Sequence, residues 1–301
     1  MRKVLVGLTL AFLSSIAWVA WSVIADILLI GDKENYVTYL TVVYVFVLLL
    51  TTVIATFYIK KSGNKFKRKD FRLALYALAA GVVFGLGTII FFGLLGNTSY
   101  PFVATVQVSA VVPYAFFITL IAKEKPRINY YIGTVIVLSG FVLQVLGIYG
   151  NDLSAAIPTI LLAVSVLVFY TVGYLLSFYF VYNGLHPLKA SPIVILASLA
   201  TVLTYGLITN AYAHAGNTTG YGLLLSVFIA IAVVVGYTFE ELPVNMLKRV
   251  GVKYLNLANL LSSFETPGIL VFSALFLSLL YPPLIIGLLL TFAGIVLVVY
   301  S

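Results

Sequence analysis

Of the chain's 301 residues, 62% are hydrophobic and 9% are charged, where soluble domains carry about a quarter charged. Such a chain cannot maintain a water-facing surface, so it is read as an integral membrane protein; the absence of cysteine excludes disulfides, thiolate metal sites and cysteine nucleophiles. A net charge of +8 would suit nucleic acid, but the positions of the charges assign it to membrane topology, and no nucleic-acid partner is expected.

Crossing about 30 Å of hydrocarbon takes about 20 apolar residues as a helix. Ten such runs follow one another at 4–30, 37–59, 73–95, 101–122, 128–149, 155–181, 192–213, 221–247, 254–280 and 283–300. Their length and continuity predict an all-α bundle, since barrel strands would be about 10 residues long with alternating polarity. The first run follows Arg2 and Lys3 as a signal peptide would. It continues past Ser15-Ile16-Ala17, too far for a cleaved apolar core, so it reads as an uncleaved first span. The links (GDKENY, GNTSYP, KEKPR, GNDLS, HAGNTTG, YPP) are short, which makes consecutive helices neighbours and leaves no room for a soluble domain. Two of them hold the sequons at Asn97 and Asn217, very close to the bilayer.

An even number of spans puts both termini on one side, and that side receives 16 of the 17 Lys and Arg residues, with Lys33 alone opposite. By the positive-inside rule the termini are cytoplasmic, in a multi-pass protein of the cell membrane. The basic loop 60–72 is read as a topology signal, with contact to anionic lipid head groups as the alternative. Lys189 is counted with the loops of that side.

Sliding the chain against itself by 154 residues superposes Tyr100 on Tyr254, Ser109 on Ser263, Pro113 on Pro267, Gly133 on Gly287 and Gly140 on Gly294, with no gap from Tyr100 to Val145. Chance matches Leu and Val easily in so apolar a chain, but not Pro and Gly in register. The expectation is two domains, 1–150 and 151–301, each of five helices. An odd number per half inverts one against the other, as in many secondary transporters.

Ten helices in two fivefold repeats resemble the drug/metabolite transporter superfamily and, within it, the EamA-like domain. The residues carrying the resemblance are Pro113 in mid-span, Glu124 in the inner loop, Gly133 and Gly140, then Pro267, Gly287 and Gly294, with the Trp18 region of the first span. Ser278 stands opposite Glu124 where the halves diverge, and no signature of the nucleotide-sugar branch is present. The resemblance implies an inverted pair of five-helix units and a secondary transporter of small metabolites working by alternating access, in the export direction. It does not imply a substrate.

Several faces carry candidate site residues. In the ninth span Asn256, Asn259, Ser262, Ser263, Thr266 and Ser273 share roughly 120° of helix surface. A polar face on a membrane helix must look at protein or water. The fourth span has Thr105 and Ser109 at the positions of Asn259 and Ser263. In the first span Ser14, Trp18, Trp21 and Ser22 share a face, and in the sixth Tyr170, Tyr174 and Ser177 do. Such aromatics suit an amphiphilic or aromatic solute through stacking or cation–π contact. The expected cavity lies between spans 1, 3, 4, 6, 8 and 9, with the glycine-ridged spans 5 and 10 peripheral. Glu240, Glu241 and Glu265 fall inside spans, where a carboxylate is costly and by default functional, which makes them proton-coupling candidates. Pro243 offers an early end to the eighth span, and Pro113 and Pro267 offer kinks or gates. His186 and His214 have no partner at metal spacing, and no catalytic triad or phosphate loop occurs. No enzyme, metal or cofactor is expected, and the energy source is a gradient.

Within transport, amino acids or similar small amphiphiles lead. A sugar-phosphate or nucleotide-sugar exchanger is the alternative, against which stands the lack of a mid-membrane Lys or Arg. An intramembrane enzyme or lipid-handling protein built on Glu240, Glu241 and Glu265 is the alternative of another class. A scaffold is disfavoured by those same acids.

Overall fold

The computed structural model describes residues 2–31, 36–96, 98–121, 125–150, 152–213, 218–247, 250, 254, 257–258, 261–262, 264–272 and 282–299. They form α1 (Arg2–Gly31), α2 (Tyr36–Ser62), α3 (Arg68–Leu95), α4 (Tyr100–Val108), α5 (Val111–Ile121), α6 (Ile128–Tyr149), α7 (Leu153–Tyr182), α8 (Pro187–Ile208), α9 (Gly220–Leu247), α10 (Glu265–Phe272) and α11 (Pro282–Val299), with no strand among the described residues. Nine helical stretches among them are long and apolar enough to cross a membrane, with α4 and α5 together counting as one, Pro101–Ile121. The chain is an all-α, multi-pass membrane protein. Of the ninth apolar run, 254–280, only α10 and scattered residues belong to the described part. Asn256, Asn259, Ser263, Ser273 and Ser278 lie outside it, as do Asn97, Glu124, His214 and Asn217.

The fourth run is two helices rather than one helix kinked at Pro113. Proline has no N–H to offer the carbonyl four residues back, so the fault falls at Ser109 and Ala110. The Ser109 carbonyl instead receives the Val112 N–H at 3.0 Å, and Ala110 N–H donates three residues back to Gln107 O at 3.1 Å. Pro267 stands near the start of α10 in the same way. There Phe264 N–H donates to Leu261 O at 3.3 Å, and Gly268 N–H donates to Phe264 O at 3.2 Å, matching Tyr114 N–H to Ala110 O at 3.2 Å. Shifted by 154 residues, these bonds and the starts of α5 and α10 coincide. Pro243, in contrast, ends nothing: α9 runs through it to Leu247.

Lys189 is also not a loop charge. α8 starts at Pro187, capped by His186 Nδ1, which accepts the Leu188 N–H at 3.3 Å. This brings Lys189 inside the bundle, 2% exposed, where its ammonium donates to Asp70 Oδ2 (3.0 Å), Asn64 Oδ1 (3.0 Å) and Lys65 O (2.9 Å). The three donors of the ammonium are thereby satisfied, and Phe66 covers it with its ring centroid 5.2 Å away. Asp70 also caps α3 by accepting the Lys67 N–H at 3.1 Å. At the start of α7, the Ser154 hydroxyl and the Ala155 N–H hold the Asp152 carboxyl below its ordinary range.

The bundle packs α1 on α9, α3 on α7 and α8, α2 on α8 and α9, and α6 on α11. The last pair is a glycine seam. Gly133 faces Gly294 and Gly140 faces Gly287, so the helices run antiparallel; a Cβ on Gly133 or Gly140 would stand 2.6 Å from the opposing glycine carbonyl oxygen. Outward side chains such as Ile132, Val135, Leu138 and Val142 of α6 are apolar and exposed, as lipid contact requires. The main apolar core, with Trp21, Phe91, Phe102, Val166 and Ile229, lies between α1–α4 and α7–α9.

Candidate functional site

One face of α1 holds the site together. Ser14, Trp18 and Ser22 are four residues apart, so they stack on a single side of the helix. Ser14 Oγ donates to Gly236 O at 3.0 Å, Trp18 Nε1 to Glu240 Oε2 at 3.2 Å, and Ser22 Oγ to Glu265 Oε1 at 3.1 Å. Successive turns of α1 thus engage the α9 backbone, an α9 carboxylate and an α10 carboxylate. Gly236 permits this approach, since a Cβ there would lie 2.9 Å from Trp18 Cε2.

Beside this ladder is a cavity of about 60 Å³ walled mainly by rings. Trp18 and Trp21 come from α1, Tyr44 from α2, Phe84 from α3, Tyr170 and Tyr174 from α7, and Tyr237 from α9. The rings pack edge to face: Trp18 and Trp21 at 5.8 Å and 88°, Phe84 and Tyr174 at 5.5 Å and 72°. Glu240, Thr88 and Ser198 supply the polar part of the wall. All three are already engaged, Glu240 through one oxygen by the Trp18 indole. Ser198 Oγ donates to Gly81 O at 2.8 Å. Tyr44 donates to Thr88 Oγ1 at 3.1 Å, with the Tyr170 hydroxyl 3.3 Å from the same oxygen.

A second space of about 20 Å³, water-sized, lies between α5, α7 and α9. It shares Tyr174 and Glu240 with the first and adds Val111, Tyr114, Glu241, Val244 and Ser262. Glu241 is 5% exposed; its Oε2, the Tyr237 hydroxyl and Ser177 Oγ are buried side by side and make no hydrogen bond of good geometry among the described residues, with Ser177 standing next to both of the others. Among the described residues no Lys or Arg lines either space. Unpaired carboxylates in so dry a place are costly, so a proton or a cation must neutralise them.

The structure therefore brings Trp18, Trp21, Tyr170, Tyr174, Glu240 and Glu241 around two joined spaces, with Glu265 one turn further along the α1 ladder. Thr105 and Ser109 are not part of that arrangement. Both are buried and bond their own helix, to Pro101 O at 2.7 Å and Thr105 O at 2.8 Å, and they line neither space. Thr266 belongs to α10, but its side chain lies outside the described residues, as do Asn256, Asn259 and Ser263 entirely. α2 and α8 contribute Leu40, Val43, Tyr44, Val194, Ile195 and Ser198 to the wall, although the apolar pattern had not singled those helices out. They do so because α2 packs across the bundle on α8. Tyr237 was the legible omission: it precedes Glu240 and Glu241 by one helical turn on the same face of α9. Among the described residues no cluster of metal-ligand type occurs.

No family model and no curated protein matches the chain. Among 22 solved chains that match in fold, one crystal structure aligns over 99% of this chain and 98% of its own, with a TM-score of 0.62 and 15% identity. That likeness covers the whole fold and shows the fold alone.

Proposed function

We propose that the protein is a secondary transporter of the drug/metabolite type, exporting a small amphiphilic metabolite by alternating access, with residues 1–150 and 151–301 as inverted halves and both termini in the cytoplasm. The observation that carries this reading is the ring-walled, carboxylate-bearing cavity shared by α1, α2 and α3 of the first half and α7, α8 and α9 of the second. The packing supports two equivalent halves. Exchanging them turns the α1–α9 contact into α7–α3 and α2–α9 into α8–α3, while α2–α8 and α6–α11 map onto themselves. The matched breaks before Pro113 and Pro267 support the same exchange. An intramembrane enzyme has no use for this correspondence. A sugar-phosphate exchanger would need a basic residue where the described residues of these walls include none. Glu240, Glu241 and Glu265 are the proton-coupling candidates.

The test is reconstitution into proteoliposomes loaded with a panel of labelled small metabolites and given a pH gradient. Saturable release of at least one amphiphile, enhanced by the gradient, is the expected result. Absence of saturable release, together with turnover of a lipid or peptide, would replace transport with catalysis.

A further inference from the structure

Resting on the transport reading, we infer that the solute is an organic cation, an ammonium on an apolar or aromatic body, with no carboxylate or phosphate of its own. Four observations converge on this chemistry.

The first is the wall itself, which takes seven rings from five helices, α1, α2, α3, α7 and, with Tyr237, α9. Ring faces are negative and attract a desolvated cation, Trp most strongly. Second, Glu240 lies in that wall and Glu241 in the adjoining one, each with acceptor capacity that the Trp18 bond does not use up. Glu241 Oε2 and the Tyr237 hydroxyl, with Ser177 Oγ beside them and no well-formed bond among the three, mark a place whose hydrogen bonding a guest would complete.

Third, among the described residues no Lys or Arg lines either space to hold an anion. Lys189 is committed to Asp70, and Lys253 is the last basic residue of the chain, so the rest of the ninth and tenth apolar runs cannot bring one in. Fourth, the helix break at α5, which borders the second space at Val111, offers an anion little. The N–H groups of Ala110, Val112 and Tyr114 are spent on Gln107, Ser109 and Ala110 carbonyls, and Pro113 has none, which leaves the Val111 N–H as the single donor of the break. An amino acid would thus find carboxylates for its ammonium and, for its own carboxylate, one backbone N–H and no cation among the described residues. The space of about 60 Å³ admits a few waters. A solute of ring size must part the rings, and its charge is what makes that rearrangement favourable.

The chain supplies its own probe. Its two tryptophans, Trp18 and Trp21, both line the cavity, so intrinsic fluorescence reports that space directly. Wild-type protein in nanodiscs is titrated with four solutes of one shape: 2-phenylethylammonium, neutral 2-phenylethanol, zwitterionic phenylalanine and anionic 3-phenylpropanoate. The ammonium should bind roughly tenfold or more tightly than the alcohol, and the two carboxylates more weakly still. Glu240→Gln should erase the advantage of the ammonium while keeping the alcohol. The wild-type series stands even if that variant fails to fold. Equal affinities, a preference for phenylalanine or phenylpropanoate, or no saturable change with any of the four overturns the inference. Flux of the same solutes separates the two readings. Charge-selective binding without flux removes transport and keeps the cation site; flux indifferent to charge keeps transport and removes the cation.

Discussion

Replacing Asp70 by alanine removes the counter-charge of a lysine that is 2% exposed and leaves its ammonium with two neutral acceptors, Asn64 Oδ1 and Lys65 O. Breaking a buried pair from one side costs about 3–5 kcal/mol, because a charge is stranded. The pair sits at the end of the bundle beside the exposed Lys65 and Lys67, which points to the lower part of that range. The same substitution removes the acceptor for the Lys67 N–H at the start of α3, a cap worth about 1 kcal/mol. Asp70→Ala should therefore lower stability by about 4 kcal/mol in a denaturant titration in mixed micelles. The double variant with Lys189→Met removes both charges and should recover most of the loss, leaving mainly the missing cap. A cost under about 1 kcal/mol for Asp70→Ala, or no recovery in the double variant, would mean that the pair behaves as a solvated surface bridge, and the reasoning from burial would fail.

Glu265→Gln should abolish flux driven by a pH gradient while leaving solute exchange largely intact, since the amide still accepts from Ser22 but carries no exchangeable proton; unchanged pH-driven flux would confine Glu265 to bonding α1. Gly140→Ala places a Cβ 2.6 Å from Gly287 O and should cost about 1–3 kcal/mol by overpacking. Gly93→Ala, whose Cβ meets nothing within 4 Å, should be neutral or stabilising by the same titration, and a reversed order would sink the seam. Single cysteines at Lys65 and Thr98, placed in this Cys-free chain, should be labelled by impermeant reagents from opposite sides of sealed vesicles; labelling from one side would refute the proposed topology.

The apolar runs are legible because hydrocarbon tolerates nothing else for about 20 residues, and the described helices follow them to within a few residues except where a polar group is satisfied inside the bundle. Lys189 is that exception: charge pattern alone places a lysine in a loop, and only the fold supplies Asp70 and Asn64, more than a hundred positions earlier, to receive it. Trp18 and Glu240 were each legible as unusual, one as an indole too deep for an interfacial belt and the other as an acid within a span. Their bond was not, because it joins residues 222 positions apart. Thr105 and Ser109 show the opposite failure. A helical wheel gives their direction on an unbroken helix, but Pro113 displaces the break upstream, and short hydroxyls readily bond their own backbone, as both do here.

The glycine seam between α6 and α11 has a mechanical meaning. Where two helices touch backbone to backbone, as Gly133 with Gly294 and Gly140 with Gly287, the side chains of Val137, Gln144, Thr291 and Val298 close against the opposing glycines, so little slack is left to absorb a sliding displacement. Translation along such a joint drives carbonyl oxygens into Cα atoms, whereas a few degrees of rotation about it costs little. α6 and α11 line neither of the two joined spaces, so a turn at this pivot is a lever whose displacement grows toward the aromatic walls. On the proposed transport reading, a small angle at this edge of the molecule would become a larger displacement at the aromatic walls, and the stiffness of the seam would set how widely the rings part.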